Sequence, residues 1–353
     1  MATTFKTLNA KDVISTRNLL HEAIPITGQI VSGTYADENI KNFSHGIFQS
    51  VYDYPYLSSS ANHIFDLTAG YTSVSGLSGA ASSQNDKKIN IYNQMAQVLV
   101  GFDENNDVRQ FDEDGNLTDG GTKINEAYVV NFTRLLTKDE VKKGSFTLEL
   151  GVTGGYANPF VDRIKLRDTD GVNSYKVNSP AGEYGILYAT NSENVPLDGI
   201  TGSTQQPAGL IYYQAGVAVV TASVFSGLLS ASAEMNSSGE DVDAVLTGST
   251  IQVNCNEFRH RIYDLSFNNS VELNSTIYFC RANHNEFNYS ANPTYLSASK
   301  LVVKNDSADV PVSYATTVGL YSPDNELMAV AKLSEPLKKD PTTEFTVRVR
   351  LDY

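Results

Sequence analysis

Short apolar runs alternate with polar and turn-forming residues along most of this chain, which is the pattern of β-strands joined by tight turns. The pattern covers most of residues 24–72 and 146–353, and the chain closes on the alternating segment TEFTVRVRLDY, residues 343–353. Chain ends fray unless they are tied down, so we expect this last segment to be buried in a sheet or an interface. The pattern predicts a mainly β fold of sandwich-like or barrel-like sheets with two or three short helices, and an α+β fold is the alternative.

Helical spacing of apolar residues predicts two of the short helices. Residues 11–23 have an acidic start, and residues 88–100 end at Gly101, where a helix C-cap is expected. The apolar positions are Val13, Ile14, Leu19 and Leu20 in the first segment and Ile89, Tyr92, Met95, Ala96 and Leu99 in the second.

A capping box predicts the third helix, over residues 138–143. Thr137 and Glu140 have the spacing at which a hydroxyl and a carboxylate satisfy each other's free backbone amides, and Gly144 follows as a terminator.

The stretch from residue 208 to 233 carries no charge, and its length would allow a membrane span. Polar residues interrupt it, and the turn Gln214-Ala215-Gly216 divides it into pieces of strand length. We therefore predict two core strands instead of one helix. The residues expected to be buried are Leu210, Tyr212, Val217, Val219 and Val220.

A small, polar, glycine-rich segment at residues 73–88 is predicted to be a flexible loop. It lies within the first of two predicted domains. Residues 1–145 are expected to form a mixed α/β domain, and residues 146–353 a β-rich domain.

The formal net charge of −14 argues against a protein that grips nucleic acid, because clustered Lys and Arg supply affinity for phosphate. The chain has two cysteines, and its first residues show no secretion signal. We therefore expect synthesis in a reducing cytoplasm, with free thiols.

One acidic loop has a partial calcium motif. Asp112, Asp114 and Gly115 fit part of a calcium-binding loop, but its first position would be Gln110 and its twelfth Gly121, where a bidentate Glu is required. A Gly-Asn hairpin turn between the segments FDE and NLT explains these residues better.

Cys255, His260, Cys280 and His284 have the side-chain chemistry of a zinc site but not the close spacing of a zinc knuckle. Both cysteines end alternating runs, so we expect two small strand residues and no metal.

His63 and Asp66, with the serines Ser58, Ser59 and Ser60, contain the residue types of a hydrolase. The sequence around them lacks a strand-Ser-helix elbow, and a His and an Asp three residues apart do not form a triad. No catalytic, cofactor-binding or metal residue is therefore predicted, and we expect a protein that is not an enzyme.

Five segments resemble virion structural proteins of contractile-tailed, T-even-type phages of the cyanophage kind. The segments are NHNEFNYSANPTYLSASK (283–300), VGLYSPDNELMAVAKLSEPLKKD (318–340), SVYDYPYLSSSANHIFDLTAGY (50–71), INIYNQMAQVLVGFD (89–103) and NFTRLLTKDEVKKGSF (131–146). The resemblance covers most of the chain. It implies a building block of the particle, and it carries over no catalytic residues.

On this basis we expect a structural subunit present in many copies in the tail or baseplate. Its partners would be copies of itself and other virion proteins, and assembly would take place in the host bacterial cytoplasm. A neck, collar or head-associated position is one alternative, and a fibre-type receptor or carbohydrate-binding module is another.

Two sequence features agree with a role in assembly. The 20 tyrosines suit wide polar-aromatic interfaces. A closing hairpin, predicted from TTVGLY and ELMAVAKL around Ser322-Pro323-Asp324-Asn325, offers strands that a neighbour can extend.

Overall fold

The computed structural model of the protein describes residues 5–20, 37–79, 82–117, 121–136, 139–191, 206–226, 233–288, 296–297, 300–301 and 311–353. The fold is mainly β with several antiparallel sheets and a smaller helical part, as the sequence predicts. The chain divides into two compact units. We call Leu20–Val271 the central unit, and Met1–Leu19 together with Glu272–Tyr353 the terminal unit.

A ten-stranded sheet forms the centre of the central unit, counted over the described residues. Neighbouring strands run antiparallel throughout. In spatial order the strands are β12 (Ile262–Ser266), β7 (Thr147–Gly151), β8 (Arg163–Arg167), β9 (Tyr184–Asn191), β10 (Pro207–Tyr212), β11 (Val217–Thr221), β5 (Glu126–Asn131), β4 (His63–Tyr71), β3 (Gln49–Tyr52) and β2 (Ile40–Asn42).

Most helices of the described residues belong to the central unit. The α-helices are α1 (Asn85–Leu99), α2 (Gly171–Ser174), α3 (Val242–Gly248) and α4 (Ile251–His260). The 3₁₀ helices are Ala10–Asp12, Asp37–Asn39, Gly76–Gly79, Thr133–Leu135 and Ala222–Phe225.

Helices α1 and α4 both pack against β4. Gly70 of β4 permits the close approach of α1, because a Cβ there would lie 2.5 Å from the carbonyl oxygen of Lys88. Tyr92 of α1 shares one hydrophobic cluster with Val129 and Val219, whereas Phe258 of α4 belongs to a second cluster. The sheet is therefore buried on both faces.

Burial on both faces explains why the strand residues within the stretch 208–233 carry no charge, since strands covered on two sides read as continuous apolar runs. The predicted pair of core strands is confirmed as β10 and β11, and Tyr212 pairs with Val217 across the turn. Gly216 completes that turn with a φ of +64°. All five residues predicted to be buried are buried, namely Leu210, Tyr212, Val217, Val219 and Val220.

One of the three predicted helices is confirmed. Helix α1 begins at Asn85 and ends at Leu99, close to the predicted 88–100. It therefore includes the last residues of the segment 73–88 that is predicted to be a flexible loop, and Lys88 is buried. A 3₁₀ turn at Gly76–Gly79 lies in the described part of the same segment.

The helix predicted at residues 11–23 is wrong. After a 3₁₀ turn at Ala10–Asp12 the chain forms strand β1 (Val13–Leu20), and residues 21–23 lie outside the described part. Strand β1 lies beside a strand more than 250 residues further along the chain, and this long-range pairing overrides the local spacing.

The helix predicted at residues 138–143 is also wrong where it is described. Strand β6 (Glu140–Val141) occupies the segment, while residues 137–138 lie outside the described part. The Glu140 carboxylate accepts a hydrogen bond from Lys143 at 3.2 Å, so it does not cap a helix. Gly144, with a φ of +79°, belongs to a turn.

The remaining described strands include those near the two ends of the chain. Strand β13 (Asn269–Ala282) lies between β1 and β18 (Phe345–Asp352), and its first residues pair with β6. Two antiparallel pairs complete the described strands, a short one of β14 (Leu296–Ser297) with β15 (Lys300–Leu301) and a long one of β16 (Ser313–Tyr321) with β17 (Leu327–Lys339). The expected pairing of residues 343–353 is thus present as β18.

The two units divide the chain differently from the predicted boundary between residues 145 and 146. That boundary falls inside the ten-stranded sheet, because β5 precedes it and β7 follows it. Residues near both ends of the chain belong to the terminal unit, a long-range association that composition along the chain does not reveal.

Candidate interaction surface

Strands β16 and β17 form a long two-stranded hairpin in the terminal unit, which confirms the predicted closing hairpin. The turn between the strands is closed by the Ser322 amide, which donates to the Glu326 carbonyl at 2.9 Å. The Glu326 amide donates in turn to the Ser322 hydroxyl at 3.1 Å. Asn325 takes the left-handed conformation that the turn needs, with a φ of +65°.

Large apolar side chains of this hairpin are exposed. Tyr314, Met328 and Val330 are 62%, 70% and 56% exposed, and Tyr321 and Leu327 are also open to solvent. An isolated two-stranded hairpin is at best marginally stable in water. The hairpin therefore has the properties of a surface that gains stability when another protein covers it.

A buried lysine fixes the base of the hairpin. The Lys339 ammonium is fully buried and donates to the His284 carbonyl at 3.2 Å, to Asn288 Oδ1 at 2.7 Å and to the Asp340 carbonyl at 2.8 Å. At the far end, the ring of Tyr321 packs on that of Phe5 with centroids 4.4 Å apart. Both ends of the hairpin thus have defined contacts within the terminal unit.

The strands β1, β13 and β18 of the same unit bury few apolar groups. Across β13 and β18, Tyr278 pairs with Val349 and Cys280 with Val347, so apolar residues share one face. Of the described apolar residues of this unit, only Val349 and Ala282 are buried.

The hydrophobic clusters of the protein lie in the central unit. Every residue of both clusters falls between residues 40 and 267 in the described part of the chain. In the described part of the chain, the strands of the terminal unit thus contribute no residue to either hydrophobic cluster, which makes this unit the candidate interaction surface.

In the loop with the partial calcium motif, a lysine ammonium pairs with the buried carboxylate of Asp112. Asp112 is buried, its carboxylate pairs with the Lys123 ammonium, and its Oδ1 accepts the amides of Asp114 and Asn116 at 3.0 and 3.2 Å. Burial, with the nearby charges of Asp112 and Asp114, raises the pKa of Glu113 to about 7.

The Gly-Asn hairpin turn predicted between FDE and NLT differs from the observed pairing. The Glu113 amide donates to the carbonyl of Thr122, which lies beyond the segment NLT, at 3.1 Å. Gly115 lies within it with a φ of +73°.

The four residues considered for zinc are divided between the two units. Cys255 lies on helix α4, which corrects the expected strand position, and its thiol donates to the Leu67 carbonyl at 3.3 Å. The ring of His260 stacks on Tyr156 and bonds to its carbonyl at 2.9 Å. Cys280 lies on strand β13 as expected, and His284 follows that strand in the terminal unit.

Among the residues that the structure describes, no three or more His, Cys, Asp or Glu side chains form a group that could hold a metal ion.

The hydrolase candidate at His63 and Asp66 also includes Ser50, a serine that the sequence did not indicate. Asp66 Oδ1 lies 2.7 Å from His63 Nε2 and accepts a hydrogen bond from Ser50 at 2.5 Å, because Ser50 and Asp66 are paired across β3 and β4. Only the strand register reveals this contact. The Ser58 hydroxyl accepts the Ser60 amide in a turn.

The arrangement around Asp66 is not that of a hydrolytic triad. The serine hydroxyl bonds to the carboxylate and not to the imidazole, so the histidine is not placed to remove its proton.

A cavity of about 240 Å³ opens beside β5 in the central unit. Glu126 and Asp243 line it, with Ser223 and Ser226, and Glu126 is hydrogen-bonded to Ser75. Burial, together with Asp241, raises the pKa of Asp243. No histidine or basic side chain is among the described residues that line this cavity. The described lining therefore does not pair a carboxylate with a basic group.

None of the helices in the described ranges has the length and apolar content needed to cross a membrane. Comparisons with protein-family models, with curated proteins and with solved structures found no match to this chain.

Proposed function

We propose that this chain is a structural subunit of a tailed-phage virion, present in many copies in the tail or baseplate, and that it works through contacts with other proteins. The observation that carries the proposal is the terminal unit, whose exposed hairpin and whose sheet of β1, β13 and β18 contribute no described residue to a hydrophobic cluster. Such a unit is completed by burial against partners.

The energetics of the hairpin support this use. Each large apolar side chain that a partner covers contributes about 1.5–3 kcal/mol, so covering several of the exposed side chains offsets the entropy of association. The partners are copies of this chain and other virion proteins. The net charge of −14 opposes the alternative of a nucleic-acid partner.

The polar clusters of the central unit support a role other than catalysis. Asp112, Asp66 and the thiol of Cys255 are each engaged by hydrogen bonds within the fold. A neck, collar or head-associated position uses the same kind of surface and remains the alternative placement. The sugar-binding alternative draws its support from aromatic residues such as Tyr54 and Tyr56, which are exposed.

Quantitative mass spectrometry of purified particles, from the phage that encodes the chain, tests the proposal. We expect its peptides at a stoichiometry of many copies per particle. A chain that is made in infected cells but is lost from purified particles would contradict the proposal.

A second arm of the same experiment tests the surface. The hairpin, residues 313–339, is replaced by a short Gly-Ser linker, and the matched variant carries a linker of equal length inserted after Glu104. The proposal expects the first variant to stay out of particles and the second to enter them. Equal incorporation of both variants would show that another surface makes the contacts.

A further inference from the structure

We infer that β16 of the hairpin pairs with β16 of a second copy of this chain, antiparallel and about a two-fold axis. The two hairpins then form one four-stranded sheet across the subunits. The inference rests on the proposed function, since it names the partner of the surface that this function uses.

The two edges of the hairpin differ in chemistry. Strand β16 carries no charged residue and no proline, and among the described residues it pairs only with β17. The other strand, β17, contains Lys332, Glu335 and Pro336. Charges and prolines protect a sheet edge against further pairing, so β16 is the edge that an additional strand can join.

Strand β16 is complementary to itself when it is reversed. In a two-fold register centred on Val318, Val318 of one copy lies opposite Val318 of the other, and Thr317 lies opposite Gly319. A β-branched pair and small residues thus meet at the axis, with no like charges opposed. A closed two-fold contact of this kind uses the same patch on both subunits.

The charges of the hairpin favour the antiparallel arrangement. Asp324 and Glu326 lie at the turn, whereas Lys338 lies near the base with a side chain 56% exposed and pairs with Asp340 at 3.4 Å. The antiparallel arrangement brings the acidic turn of one copy toward the base of the other, while a parallel one would place the acidic turns together.

Two copies of the hairpin can also meet without net charge repulsion. It has three acidic residues (Asp324, Glu326, Glu335) and three basic residues (Lys332, Lys338, Lys339), while the whole chain carries a net charge of −14. A sheet needs at least three strands for independent stability, and the paired hairpins would provide four.

Sedimentation velocity of the full chain over a concentration series tests the pairing with a matched pair of variants. Thr316 and Ser334 both lie at the break in the β16–β17 register and have no partner across the hairpin. The inference expects a wild-type dimer, which Thr316→Pro on the free edge weakens at least tenfold and Ser334→Pro on the other strand leaves intact.

Charge reversal tests the orientation independently of any effect of proline on folding. The double change Asp324→Lys with Glu326→Lys should weaken the dimer several-fold at low salt, and adding Lys338→Glu to the same chain should restore it. In the control, Glu104→Lys reverses a charge outside the hairpin. Adding Lys338→Glu to that chain should not strengthen the dimer.

Three results would overturn the inference. They are a wild-type chain that stays monomeric up to concentrations on the order of 100 µM, equal effects of the two proline variants, or no recovery from the third charge change. Failure here is distinct from failure of the proposed function. A monomer that still enters particles refutes only the two-fold pairing, and a dimer absent from particles refutes only the virion role.

Discussion

Two buried cations of the central unit, Lys88 and Arg261, form hydrogen bonds to the backbone that explain why they can be buried. The Lys88 ammonium is fully buried and donates to the carbonyls of Leu246 and Ser249 at the end of α3, and burial lowers its pKa to about 8. The Arg261 guanidinium, also buried, donates to the Gly151 carbonyl at 3.2 Å. Shifted pKa values often mark catalytic groups, but here hydrogen bonds to the backbone account for the burial of both cations.

The core strand β11 provides a test of the fold at one residue. Val219 is fully buried, so Val219→Asp should lower the free energy of unfolding by at least about 3 kcal/mol through an unpaired buried charge. Val177→Asp, at a position 70% exposed, is the matched control and should change stability by less than about 0.5 kcal/mol. Chemical denaturation checks both. Equal midpoints for the two variants would contradict the burial of β11.

The raised pKa of Glu113 predicts a pH dependence. Its pKa is about 7 in the folded protein against 4.5 ordinarily, so the folded state holds an extra proton between these values. The group therefore contributes stability at low pH that is lost as pH rises from about 4.5 to 7. Glu113→Gln should remove this loss, so that the variant gains stability over the parent across that range.

Denaturant melts at half-unit pH steps measure the difference, and Glu104→Gln is the matched control for the loss of one negative charge. A Glu113→Gln curve that runs parallel to the parent from pH 4.5 to 7 would show that Glu113 is not desolvated.

We expect no metal to be needed for stability. Treatment with a chelator followed by a thermal melt tests this, because a structural zinc contributes on the order of 10 kcal/mol to the folding of small domains. The melting temperature should stay unchanged. A clear drop would indicate that Cys255 and His260, or Cys280 and His284, bind metal in a way that their hydrogen bonds and positions do not suggest.

At the scale of elements, the sequence predicts those whose signals are local. Strands β10 and β11 are recognisable from an uncharged run with an internal turn, and α1 from its spacing and Gly101. The strand β1 is missed because its partner β13 is remote in sequence.

Helix α4 is missed because STIQVNC alternates like a strand. Its N-cap was a readable signal, since the Thr250 hydroxyl accepts the Val253 amide. The cap explains why Cys255 lies on a helix.

The last strand provides the test at this scale. Deleting residues 343–353 removes β18 and leaves the β13 edge open over eight paired positions. We expect the truncated chain to be insoluble or unable to assemble, because an unpaired apolar edge recruits other strands. Size-exclusion chromatography of the soluble fraction measures the outcome, and the substitution Tyr353→Ser is the control that keeps the strand. A soluble truncated chain that still assembles would contradict the structural role of β18.

At the scale of the molecule, the core is concentrated in the central unit and the exposed apolar strands in the terminal unit. The mainly β class follows from alternation along the chain, but the composition of the units does not, because it depends on residues near both termini coming together. The candidate surface was readable as a hairpin from its turn and flanking strands, whereas the scarcity of buried side chains in its unit required the structure.

We propose that the terminal unit completes its fold against neighbouring subunits of a virion. A cryo-EM map of the intact particle shows whether it does. We expect many symmetric copies of the chain in the tail or baseplate, with Tyr314, Met328 and Val330 of the hairpin covered by a neighbour. A particle without density for the chain, or one in which this hairpin lies in solvent, would contradict the proposal.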